Sequence, residues 1–147
     1  MPLEVEVVSR VRELYHTENA DMVIIPGSEG EMGVLPSHTP LLTTLAFGEL
    51  RIIEGDDVIG FVVYGGVVEV RPDKVIVLAD DAESVAEIDL EEIEAARARA
   101  RELMEQGPSG EQRALIAQEL RRAEIAVRVH QRMGGGQRIR SLSEDEE

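Results

Sequence analysis

Three histidines, a run of spaced glycines, a carboxylate pair and a row of arginines are the places where this chain could do chemistry. His16, His38 and His130 are far apart and no His-x-x-x-His spacing occurs, so they give no expectation of a metal site. Gly27, Gly30 and Gly33 fail as a phosphate loop. Their spacing is wrong, no Lys-Ser/Thr follows, and Glu29 and Glu31 inside the run would repel phosphate. The run reads instead as a Gly-rich hairpin connection. Asp80-Asp81 lacks the regular oxygen spacing of a calcium loop and reads as a solvated strand end. Arg97, Arg99 and Arg101 turn by about 200° from one to the next on a helix, so they share no face. They are expected to pair with nearby acids, Arg101 with Glu105 and Arg97 with Glu94. Neither Gly-x-Ser-x-Gly nor Ser-x-x-Lys occurs. With no nucleophile–base pair and no ligand cluster, catalysis is not expected. His38, between Pro36 and Pro40, sits on a rigid exposed turn of the kind that carries recognition, or else bonds its own turn.

The elements that must carry these residues fall into two halves. In the front half, Leu3, Val5 and Val7 alternate with Glu4 and Glu6, the period of a half-buried strand. Short β-rich runs follow at Asp21–Ile25, Glu49–Ile53, Asp57–Tyr64, Val67–Arg71 and Lys74–Leu78. Pro26-Gly27, Gly55-Asp56, Gly65-Gly66 and Pro72-Asp73 read as the turns between them. Many short strands at close spacing predict an antiparallel β-sandwich or barrel over residues 1–86. The back half, 87–133, is rich in Ala, Glu, Arg and Leu. Leu90, Ile93, Ala96, Ala100, Leu103 and Met104 form one helical stripe, and Ile116, Leu120, Ala123 and Val127 a second. Asp89 with Glu92 reads as an N-cap, and Gly107-Pro108-Ser109-Gly110 breaks the two apart. The expectation is an antiparallel two-helix hairpin, weakly held because its stripes are half alanine. The Gly134–Gly136 stop and the acidic tail to Glu147 read as disordered.

Composition narrows the function classes. The formal net charge is −15, with 16 acids and 5 bases up to Ala86 and 14 acids and 10 bases after it. No cationic face is available for nucleic acid. There is no cysteine, hence no disulfide framework. No apolar run approaches the ~20 residues of a membrane span, and Met1–Arg12 has no apolar leader core. No direct membrane insertion is expected.

The stretch from Ile25 to Thr43, Ile-Pro-Gly-Ser-Glu-Gly-Glu-Met-Gly-Val-Leu-Pro-Ser-His-Thr-Pro-Leu-Leu-Thr, closely resembles the signature of ATP synthase epsilon subunits. Gly48–Ile52, Val63–Val70, Val75–Asp80 and Ala86–Asp89 agree in the right order, and Glu119–Ala123 and Val127–Val129 resemble the family's second helix. The match runs from residue 3 to about 133. It implies a non-catalytic rotor subunit of an F-type ATP synthase, whose sandwich joins the gamma subunit in the central stalk and links it to the c-ring. It implies that the loops holding Glu29, Glu31 and His38 face the ring. It also implies that the helices can extend into the alpha/beta catalytic head and block ATP hydrolysis. On those helices Asp89 is a candidate regulatory residue, and Arg113, Arg121, Arg122, Arg128 and Arg132 are expected to pair with acids of the head in the extended state. The expected place is the cytoplasmic side of a bacterial inner membrane, or the equivalent plastid side, as a peripheral protein in proton-driven ATP synthesis.

Some relatives bind ATP in the folded hairpin through Ile/Leu-Asp-x-x-Arg-Ala plus arginines of the second helix. Here Ile88-Asp89 is present, but Glu92 and Ile93 stand in place of the arginine and alanine. A carboxylate opposes phosphate, so no cofactor is expected. The Gly-rich break and acidic tail after Met133 also depart from the family's short ending. The rival readings are a stand-alone small-ligand or nucleotide-sensing module, which needs a pocket of convergent polar groups, and an enzyme on a sandwich, which lacks its base and nucleophile.

Overall fold

The computed structural model describes residues 1–133 and 138–139. Eight strands come first: β1 (Leu3–Ser9), β2 (Glu13–Ala20), β3 (Met22–Gly27), β4 (Gly30–Val34), β5 (Leu41–Glu54), β6 (Asp57–Val70), β7 (Lys74–Ala79) and β8 (Ala82–Ser84). A single 3-10 turn at Val85–Glu87 leads into α1 (Leu90–Glu105) and α2 (Gly110–Met133), and Arg138–Ile139 form a short β9.

The strands run in the order β2-β1-β7-β6-β5-β3-β4. The long β5–β6 hairpin serves both layers of the sandwich. One end of it carries β7, β1 and β2, and the other carries β3 and β4. Between them lies one apolar core that includes Leu3, Val5, Val7, Val23, Ile25, Ile52, Phe61, Val75 and Val77. The pairing is antiparallel except where β1 meets β7 in parallel and β9 meets β6 in parallel. The antiparallel sandwich followed by two helices is therefore as expected, with a parallel seam the sequence did not announce.

Four local expectations change. Val67–Arg71 is not a separate strand and Gly65-Gly66 is not a turn, because β6 runs through both. The glycines sit at φ 86° and 133° and bend the strand, and a Cβ on Gly66 would lie 2.2 Å from the Leu78 carbonyl oxygen. The Glu49–Ile53 run extends back to Leu41. β2 went unread because its buried positions are Tyr15, Thr17 and Ala20, a faint apolar signal. β4 lies in the stretch that the sequence presents as connection alone. The actual turn is Ser28-Glu29, between the paired Gly27 and Gly30.

Both helices form as their sequences predict. The Asp89 carboxylate accepts from the Glu92 backbone N–H at 3.3 Å, and Gly107 at φ 72° follows the end of α1. Among the described residues no helix is long and apolar enough to cross a membrane. Arg138–Ile139 apart, the expectation of a disordered tail lies outside the described residues.

Candidate functional site

From Val58 to Tyr64, β6 is buried on both faces. Ile59, Phe61 and Val63 point into the sandwich core, while Val58, Val62 and Tyr64 join a second cluster on the outside with Val85 and Val129. Phe47, Ile88 and Ile125 pack against its rim. The second half of α2 is thus the lid over this outer face, and its buried residues are Ala123, Ala126, Val127 and Val129.

Arginines fix the rest of that contact. The Arg121 guanidinium lies 4.5 Å from the Phe47 ring centre and Arg122 lies 4.1 Å from that of Tyr64. Phe47 and Tyr64 face each other across β5–β6 in an edge-on pair. Arg122 also pairs with Asp81, whose other carboxylate oxygen accepts from the Ala82 backbone N–H. Asp81 is therefore a helix anchor and more than a solvated strand end. Burial, then the neighbouring Glu83 carboxylate, push the Tyr64 hydroxyl well above the ordinary phenol range, against the opposing pull of Arg122. Farther along α2, Arg132 donates to Glu49 from Nε at 2.9 Å and Nη2 at 2.5 Å. Glu49 is buried, and Arg51 Nε lies 2.7 Å from its second oxygen in a charge contact without hydrogen-bond alignment.

α1 packs on α2, and its buried residue is Ala100. Arg101 crosses to Glu124 of α2 at 3.5 Å, so the expected pair within α1 to Glu105 gives way to one between helices. Between α1, α2 and the sandwich lies an open cleft of about 1130 Å³. Ile88, Asp89, Glu92, Arg99 and Arg122 are on its wall. Glu92 thus stands at the helix start, where phosphate would need a cation. Arg113 is exposed near the start of α2, and Arg128 lies with Arg121 and Arg132 along a smaller groove beside Phe47.

The three residues expected to face a ring have separate surroundings. Glu29 is exposed at the β3–β4 turn, where the Ser28 N–H reaches the Thr44 carbonyl. Glu31 pairs with Arg51 at 3.3 Å. His38 bonds within its own turn, its Nδ1–H donating to the Thr39 carbonyl oxygen at 2.7 Å. Beside it Ser37 holds φ 70° while its N–H bonds the Pro72 carbonyl, which stiffens the loop. Leu35 and Leu42 project into solvent nearby, and Val67 and Leu78, paired across β6–β7, extend the exposed apolar surface along the sheet.

One juxtaposition escaped the sequence. Glu4, His16 and Glu18 meet on the outer face of β1–β2 with ligand atoms within 4.8 Å of one another. His16 Nε2 is 2.7 Å from Glu4, and Lys74 neutralises Glu4 and Glu6 alongside. The hydrogen bond to Glu4 raises the His16 pKa above its ordinary value. The residues missed by sequence reasoning, Phe47, Glu49, Tyr64 and Asp81, had one available signal. The run Val58–Tyr64 lacks alternation, and a strand dry on both faces requires a cover.

Residues 2–85 match the family model of the ATP synthase Delta/Epsilon chain β-sandwich domain. The ATP synthase epsilon chain of Dehalococcoides mccartyi is 41% identical over 128 residues, covering 86% of this chain and 91% of that one. That of Herpetosiphon aurantiacus is 40% identical, covering 88% and 94%. Among solved structures, a chain of the Euglena gracilis mitochondrial ATP synthase OSCP/F1/c-ring assembly superimposes with a TM-score of 0.70 at 25% identity, over 90% of this chain and 79% of its own. A chain of the Tetrahymena thermophila mitochondrial ATP synthase central stalk and c-ring shares the fold, with a TM-score of 0.57 at 15% identity, over 88% and 97%. With its family signature, its β-sandwich and its trailing helices, this chain belongs to the ATP synthase delta/epsilon family, on the epsilon-chain branch.

Proposed function

We propose that the chain is a non-catalytic rotor subunit that joins a gamma subunit in the central stalk and meets the c-ring through the loops bearing Glu29, Glu31 and His38. In this reading the protein is peripheral, on the cytoplasmic side of a bacterial inner membrane. The sandwich is the structural part and the α1–α2 hairpin the regulatory one, able to leave the sandwich and engage the alpha/beta head through Arg113, Arg121, Arg122, Arg128 and Arg132. The observation that carries this is how α2 is held. Its buried residues are two alanines and two valines, Ile125 packs at the rim of the cluster, and the remaining grip is arginine on aromatic rings and carboxylates. Small apolar area and solvent-facing charge leave two states within a few kcal/mol, the condition for a partner to select between them.

Exposed Leu35, Leu42, Val67 and Leu78 support a protein-facing sandwich surface. The test is co-expression with the cognate gamma subunit. A one-to-one complex with no ATP turnover by this chain alone is expected. Turnover by the purified chain, or failure to bind gamma, overturns the reading in favour of an enzyme or a stand-alone sensor.

A further inference from the structure

We propose that the edge of β6 at Asp57–Val58 is a docking surface for the chain's own C-terminal extension, and that strand β9 seated there holds the helical hairpin on the sandwich. The inference rests on the regulatory reading above and names the device that sets its resting state.

β6 is flanked by β5 along nearly its whole length. On its other side, Gly66–Val70 take β7 and Phe61–Val63 take β8. The first residues of β6 lie beyond both of these partners, at an edge that can take another strand. β9 occupies that edge in parallel, Arg138 beside Asp57 and Ile139 beside Val58. Strand addition of this kind takes its affinity from main-chain hydrogen bonds.

The tether selects the occupant. α2 ends at Met133, and five residues of extended chain reach at most about 18 Å. The extension is therefore delivered only to surfaces beside the end of α2. That end is already over this edge, since Val129 packs with Val58 and Val62 and Arg132 binds Glu49. Apolar packing, an ion pair and a strand therefore converge on one end of the β5–β6 hairpin. Releasing the helices requires all three to part, and the short link keeps β9 at high effective concentration for rebinding. Each net backbone hydrogen bond shifts an equilibrium by about two- to tenfold, so a two-residue strand biases the hairpin by on the order of tenfold. A binding partner can still override a bias of that size.

The chain has no cysteine, so an introduced pair reports cleanly. Asp57→Cys with Arg138→Cys in the full-length protein should cross-link within the molecule under mild oxidation. Asp73→Cys with Arg138→Cys should not, because Asp73 lies past the other end of β6. No cross-link in the first pair, or equal yields in both, overturns the docking. Ending the chain after Gln137, or Ile139→Pro, should speed hydrogen exchange of α2 amides by about tenfold. Unchanged exchange in both variants overturns the holding role even where the cross-link forms. Removing the hairpin from residue 89 onward in the holoenzyme separates the two ideas. Unchanged ATP hydrolysis there refutes the regulatory reading, while the cross-link and exchange results still decide where the extension docks.

Discussion

Arg132 and Glu49 are 83 residues apart in sequence and joined by two hydrogen bonds, with a Glu49 side chain only 2% exposed beneath the helix. The arginine is more than half exposed, so its own desolvation cost is small, while the carboxylate depends on it. Arg132→Ala leaves Glu49 with Arg51 alone. It should weaken docking of α2 by about 1–2 kcal/mol, the range for hydrogen bonds to a charged group after solvent screening. Hydrogen exchange of the last two turns of α2 reports this directly. If those amides keep their protection, the pair contributes nothing to docking.

The Arg122–Tyr64 stack separates ring electrostatics from the hydroxyl. Tyr64→Phe keeps the π-face and loses a long 3.3 Å hydrogen bond to Glu83, so α2 protection should hardly change. Tyr64→Leu keeps apolar bulk but removes the π-face, and should cost about 1 kcal/mol. Equal effects of the two substitutions would mean that the cation–π contact is idle.

Much of the fold was legible because it is local. The Leu3–Val7 alternation gave β1, and the Asp89 cap gave the start of α1. What stayed hidden depends on tertiary placement. Gly65-Gly66 carries the same φ freedom whether it makes a turn or bends a continuous strand, and only the crowding against Leu78 and Ala79 decides. Arg101 had acids within reach on its own helix, and the facing α2 supplied Glu124 instead. Glu49 read as an ordinary strand carboxylate until α2 was laid over it. The candidate ring-facing residues were located by resemblance, and the structure adds that Glu31 and His38 already have partners within the chain.

Titration gives a prediction on the opposite side of the sandwich. Glu4 holds His16 above its ordinary 6.5 through their hydrogen bond, and His16 in turn, followed by Lys74, lowers Glu4 below 4.5. A raised His pKa gives stability that is complete below the unfolded value and lost as pH climbs through the folded one. The lowered Glu4 pKa gives stability that is present above its unfolded value and lost as pH falls through the folded one. The pair is therefore fullest between about pH 4.5 and 6.5, the two reference values. NMR titration should place His16 above 6.5 in the native chain and return it toward 6.5 in Glu4→Gln. A His16 shift that survives Glu4→Gln would assign the effect to Glu13 or Glu6 instead.

Glu92 sets an expectation for the cleft. A carboxylate beside Asp89 at the opening of α1 opposes phosphate, although Arg99 and Arg122 line the same cleft. Calorimetry should show no micromolar ATP binding to the native chain. Glu92→Arg should increase affinity by removing one negative charge and supplying a cation. Micromolar binding by the native protein would show that the two arginines suffice without the motif.

The final prediction concerns what the hairpin conceals. Shortening the chain after Ile88 removes both helices and their cover from Val58, Val62, Tyr64 and Val85, while the core around Phe61 and Val77 keeps β1 to β8. The sandwich should therefore fold, assemble with gamma and support ATP synthesis, and ATP hydrolysis by the holoenzyme should rise. The isolated fragment should also associate with itself, because four buried residues become one exposed apolar patch. Val62→Thr in the fragment should reduce that association without disturbing the opposite, core-facing side chains of Phe61 and Val63. Sedimentation measures the self-association and coupled ATPase assays the hydrolysis. Loss of assembly on shortening would make the hairpin structural, and unchanged hydrolysis with intact assembly would leave it no inhibitory role.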